Sequence, residues 1–112
     1  MNSTRALGGL PTGTCEQIEA VLRRFPQIQW VKLYGSRALG RERPGSDIDL
    51  AFSAPEDCSA ALAGALDDLP IPYTVDVTHW ESLRHVGLRQ HIAAVGMPWP
   101  GWPQHTSEPT AG

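Results

Sequence analysis

The chain has 112 residues, 41% of them apolar, and a formal charge of −3, which suits one modest core and not two. No global basic field advertises nucleic acid or an anionic membrane as a partner, and no run of about eighteen apolar residues could cross a bilayer. The opening "MNSTRALGGLPTGT" lacks the apolar centre of a signal peptide, so a soluble, cytoplasmic protein is expected. Residues 1–13 hold glycines and a proline without periodicity and are expected to be a flexible segment outside the core.

Thr14 and Gln17 match a capping box, and Ile18, Val21, Leu22 and Phe25 follow at helical spacing until Pro26; this predicts the first helix. "WVKLYG" is short, apolar and β-prone, the first strand. From Arg37 to Gly45 the chain is charged and closes on Pro44-Gly45, a short helical turn and then a tight loop. "DIDLAF" is the second strand, with Asp47 and Asp49 on one face and Ile48 and Leu50 on the other. Ser53 and Glu56 offer a second capping box before a stripe of Cys58, Ala61, Leu62, Ala65, Leu66 and Leu69. "YTVDVT" is the third strand, with Val75 and Val77 opposite Thr74, Asp76 and Thr78; a last helix over 82–95 turns Leu88, Ile92 and Val95 inward. Helix stripes of this kind need a sheet to cover, so the fold class is α+β, a small mixed β-sheet with helices mainly on one face. A domain over 14–97 is followed by a Pro/Trp-rich tail, 98–112, placed outside the core.

Three aspartates thus stand on the polar faces of two strands. If the strands are neighbours, the carboxylates converge, repel one another and raise each other's pKa. A hard cation removes that conflict, and an all-oxygen donor set suits Mg²⁺, which completes its shell with water and substrate phosphate. Gly35-Ser36 lies where the first strand turns, and a glycine there lets backbone N–H groups and a hydroxyl approach phosphate oxygens. It is neither a Walker A loop nor a dinucleotide fingerprint. Lys32 is the only lysine, but three of the eight arginines, Arg37, Arg41 and Arg43, crowd the same loop and suit a triphosphate. Each fragment alone is ordinary: glycine-serine makes turns, Asp-x-Asp sits on solvated strand edges, and loop arginines are solvated. Their joint order on these strands points to a site.

That order, Gly35-Ser36, then Asp47-Ile48-Asp49, then Asp76 on a later strand, resembles the signature of the DNA polymerase β-like nucleotidyltransferases, and the short chain is similar to their minimal nucleotidyltransferase (MNT) branch over about 15–97. The resemblance implies the polymerase β-like nucleotidyltransferase fold and metal-dependent transfer of a nucleoside monophosphate from ATP or another NTP to a hydroxyl, with two Mg²⁺ ions during catalysis. It assigns Asp47 and Asp49 to both metals and Asp76 to the catalytic metal and to deprotonating the acceptor. Gly35 and Ser36 would hold the β- and γ-phosphates, with Arg37, Arg41, Arg43 and Ser46 as further nucleotide-binding candidates. Relatives with small-molecule or RNA acceptors carry an extra helical domain for which this chain has no room. Many MNT proteins are antitoxins to a separate helical HEPN toxin, and some add AMP to its tyrosine. AMPylation of a HEPN-type toxin is therefore the leading expectation, with no direct nucleic-acid partner. A non-catalytic antitoxin acting by docking and a transferase for a small molecule such as an aminoglycoside are the alternatives.

Other residues carry less. Cys15 and Cys58 fall on helix stripes as small buried thiols. His79, His85, His91 and His105 show no ligand pairing; His85 and His91 suit helix caps or flanks, and His79 is read as structural. Trp30 and Trp80 are core or rim aromatics. Trp99 and Trp102, in "PWPGW", either form a docking surface or pack back on the domain.

Overall fold

Alternation along the strands sorts side chains to two sides of one sheet. In the computed structural model, which describes residues 7–100 and 102, β1 (Trp30–Tyr34), β2 (Ile48–Ser53), β3 (Val75–His79) and β4 (Met97–Pro98) form a sheet in the order β3-β2-β1-β4. β1 is antiparallel to β2 and β4, and β2 is parallel to β3. The parallel pair needs a crossover, supplied by α2 (Ser59–Asp67). α1 (Thr12–Leu22) and α3 (Val86–Val95) complete the helices.

The main core joins α1 and α2 to one face of the sheet: Ile18, Val21 and Leu22 meet Leu62 and Leu66, over Val31, Leu33, Ile48, Leu50, Phe52 and Val75. The opposite face carries a smaller cluster of Trp30, Tyr34, Ala51 and Ile92, with Trp80, Leu83, Leu88 and Val95 packed against it. α3 lies on that side, as its inward triad of Leu88, Ile92 and Val95 predicts. Two of the three α-helices among the described residues thus share a face, in a mixed sheet of the expected class.

Neither predicted capping box forms. α1 starts at Thr12 behind Pro11, which leaves Thr14 buried inside the helix; proline at a helix start has no N–H to satisfy. Ser53 instead ends β2 and bonds the Glu81 carboxylate, and α2 begins only at Ser59, whose N–H is accepted by Asp57 at 2.9 Å.

The expected outlying ends also need correction. Leu10 is fully buried. Met97 and Pro98 pair with β1, the Trp99 N–H donates to the Val31 carbonyl at 2.9 Å, and its indole N–H donates to Glu19 at 3.1 Å. Trp99 and Trp102 are 2% and 8% exposed and belong to the main core, with the Arg23 guanidinium 5.0 Å from the Trp102 ring. Two indoles bury too much apolar surface to be left in water, and β4 covers a strand edge that would otherwise be open. The readings of residues 1–6 as flexible and of 103–112, including His105, as tail lie outside the described residues.

Candidate active site

The carboxylates come together through register. In the parallel pair Asp49 stands opposite Asp76, and in the antiparallel pair it stands opposite Tyr34. Neighbouring strands run about 4.8 Å apart, so the Asp49 and Asp76 side chains leave the same sheet face side by side. The apolar residues between them decide this: Ile48, Leu50 and Val75 are drawn into the main core, which turns Asp49 and Asp76 to the other face. Asp47, one residue ahead of β2, is exposed, as is Asp76, whereas Asp49 is half-buried.

Electrostatics report the same convergence. Burial raises the pKa of Asp49, and the charges of Asp76 and then Asp47 raise it further, while His91 works in the opposite sense. The Tyr34 hydroxyl, hydrogen-bonded to Thr78 Oγ1 at 3.1 Å, is pushed up by burial and by Asp49 and Asp76. Among the described residues no three His, Cys, Asp or Glu side chains already form a cation cage. The donor chemistry nonetheless suits a hard divalent ion: Asp49 and Asp76 are an in-register oxygen pair, Asp47 is an exposed third, and their mutual repulsion is the conflict a cation relieves.

Gly35 opens a short 3₁₀ turn, Gly35–Arg37, directly after β1. Its φ is +79°, and a Cβ at this position would collide with Asp49 Oδ2. Glycine is therefore required for the left-handed backbone, and its missing side chain lets the carboxylate approach closely. Ser36, half-buried in the turn, accepts the Arg41 N–H at its carbonyl at 2.8 Å. The glycine-serine turn and Asp49 are thus in contact.

The arginines divide. Arg41 and Arg43 have exposed side chains on the loop beside the turn. Arg37 is 4% exposed and committed elsewhere: its guanidinium donates to the Ser46 carbonyl at 3.2 and 2.9 Å and to the Gly8 carbonyl at 2.9 Å, and lies 5.0 Å from the Tyr73 ring centroid. A planar cation with several donors is well suited to tying carbonyls together, so the expectation that Arg37 binds phosphate gives way to a structural role. Ser46 closes the loop, its hydroxyl accepting the Arg43 N–H at 2.7 Å, which leaves the O–H free to donate.

The histidine expectations hold for two residues and miss part of a third. His85 caps α3, accepting the Leu88 N–H at 3.0 Å. His79 is buried on the main-core side against Phe52, and its two ring nitrogens are taken up by the Ala54 carbonyl and the Ser82 hydroxyl. His91 flanks α3 but also reaches the site, accepting the Gly35 N–H at 3.2 Å. No spacing rule links residues so distant in sequence, and only the placement of α3 brings them together.

Comparison with known proteins agrees with this geometry. The family described as "Polymerase beta, Nucleotidyltransferase" matches residues 16–97, and no curated protein matches the chain. Among solved structures, the chain is similar to one in a toxin-antitoxin crystal structure with AMP-PNP, at 29% identity over 78% of this chain and 73% of that one, with a TM-score of 0.59. It is also similar to a chain of the tri-AMPylated Shewanella oneidensis HEPN toxin in complex with MNT antitoxin, at 27% identity over 79% and 70% of the two chains and a TM-score of 0.52. A crystal structure of the toxin-antitoxin MntA-HepT gives the same identity, coverage and TM-score. Carboxylates in register on two strands beside a glycine-serine turn, within a matched family span, make this chain a nucleotidyltransferase of the polymerase β-like superfamily, of the minimal MNT type.

Proposed function

We propose that this enzyme transfers AMP from ATP to a tyrosine hydroxyl of a helical HEPN-type toxin and so acts as its antitoxin. The observation that carries the reading is the pairing of Asp49 with Asp76 while Asp49 Oδ2 lies against Gly35, because it joins acidic groups and the glycine-serine turn at one point. The similarity to chains from complexes with AMP-PNP and with a tri-AMPylated HEPN toxin favours ATP and a protein acceptor.

In this reading the turn at Gly35 and Ser36 cradles the β- and γ-phosphates, Gly35 letting the backbone come close and Ser36 supplying the donors, and Arg41 and Arg43 add positive charge from the loop. Asp47 and Asp49 would hold two Mg²⁺ ions, and Asp76 would help to hold one of them. Bound Mg²⁺ supplies charge neutralisation around the phosphates. Asp76 accepts the proton of the attacking hydroxyl; a bond forms from that oxygen to the α-phosphorus, the α–β phosphoanhydride bond breaks, and pyrophosphate departs. Positioning of this sort accounts for most of the catalysis in phosphoryl-type transfers.

Incubation with labelled ATP, Mg²⁺ and a HEPN-type toxin that the protein binds tests the reading. Label on a partner tyrosine, lost with Asp47→Asn and Asp49→Asn, is the expected result. A partner that binds and is neutralised without acquiring label would replace AMPylation by docking, and label on a small hydroxylated acceptor alone would change the substrate class.

A further inference from the structure

The Gly35 N–H that a phosphate oxygen would ordinarily seek is already occupied. A backbone N–H can only donate, so His91 Nε2 must present its lone pair to it at 3.2 Å. The imidazole is fixed on a second side by Tyr34, whose ring meets it edge-on at 6.0 Å between centroids and an interplanar angle of 79°. Tyr34 is itself tied to Thr78 on β3, two residues beyond Asp76. His91 therefore sits at the end of a chain of contacts from the acidic strands to the turn, while its neighbour Ile92, 1% exposed, anchors α3 to the sheet.

We infer that His91 is a positioning residue for the nucleotide: from α3 it holds the Gly35 peptide in one orientation, so that Ser36 faces the phosphates beside Asp49. The inference deepens the proposed ATP site and rests on that reading. The Gly35 carbonyl accepts the Ala38 and Leu39 N–H groups, each at 3.1 Å, and the Ser36 carbonyl accepts that of Arg41, so the carbonyl side of the turn is held by the backbone alone; on its N–H side the histidine is the side chain that fixes the Gly35 peptide, at a residue whose backbone is the most permissive of any. α3 keeps Ile92, Leu88 and Val95 against the sheet whether or not His91 is present, which separates positioning from folding.

Binding of AMP-PNP with Mg²⁺ by titration calorimetry tests this without any acceptor. His91→Ala should weaken binding about tenfold and lower the melting temperature by no more than about 4–8 °C, the cost of roughly one hydrogen bond, with unfolding still cooperative. Glutamine places a carbonyl oxygen near the position of Nε2, whereas asparagine reaches only the position of Nδ1. His91→Gln should therefore stay within about twofold of wild type and His91→Asn should resemble alanine. The Gly35 amide resonance should move in the alanine and asparagine variants and return in the glutamine variant. In the transfer assay His91→Ala should raise KM for ATP more than it lowers kcat. Unchanged or tighter AMP-PNP binding in His91→Ala, or a glutamine variant no better than asparagine, overturns the inference. Failure of the AMPylation reading shows differently, as intact AMP-PNP binding with no label on the partner.

Discussion

The two faces of the sheet are built from the same strands and do opposite things. On one, Ile48, Leu50 and Phe52 of β2 are fully buried under α1 and α2. On the other, Ala51 of the same strand packs into the smaller cluster with Ile92 of α3, and Asp49 keeps a carboxylate half in water beside two more. The filled face supplies the stability, and the open face holds charges that oppose it. Tolerating like charges on one side of a strand is possible because the other side is held so firmly.

The sharpest way to break the comparison is to neutralise the open face. Asp49→Asn should reduce nucleotide transfer by about a thousandfold while circular dichroism and cooperative unfolding are retained; substantial residual transfer would remove Asp49 from the site. The adjacent residue should behave in reverse: Leu50→Ala should cost about 3 kcal/mol of stability, read by urea denaturation. Gly35→Ala meets both a positive φ and Asp49 Oδ2, so a cost of about 2 kcal/mol together with loss of transfer is expected, unlike an exposed glycine such as Gly13, where an added Cβ meets nothing.

The smallest effect tests the electrostatics. Asp49 is an acid whose pKa is raised in the folded state, first by burial and then by Asp76 and Asp47. Its penalty on folding is absent below its ordinary 3.8 and complete once pH exceeds the raised value. Asparagine carries no such penalty. Asp49→Asn should therefore be more stable than wild type at pH 7, and the difference should shrink as pH falls through the raised value; a gap that widens on acidification would contradict the assignment.

Much of this was legible in the sequence because it depends on short periods. Alternation in "DIDLAF" and "YTVDVT" placed Asp49 and Asp76 on the faces they occupy, and Ile18, Val21 and Leu22 marked the buried stripe of α1. What escaped depends on partners distant in sequence. Arg37 reads as a phosphate ligand until the Ser46 and Gly8 carbonyls are seen around it, and Ser53 reads as a cap until Glu81 arrives from beyond β3. Trp99 and Trp102 sit in a proline-rich stretch with no pattern of its own, yet the edge of β1 gives them a place to dock. The same limit hid His91, whose site role exists only once α3 has packed.

The parallel alignment of β2 with β3 has a wider consequence. Ile48 with Val75 and Asp49 with Asp76 are successive rungs of one ladder, so a slip by a single rung would thrust an aspartate into oil and a valine into water. Catalytic alignment and foldability are consequently subject to one proofreading step: a molecule that has closed its interior correctly has, in the same act, set its acidic pair.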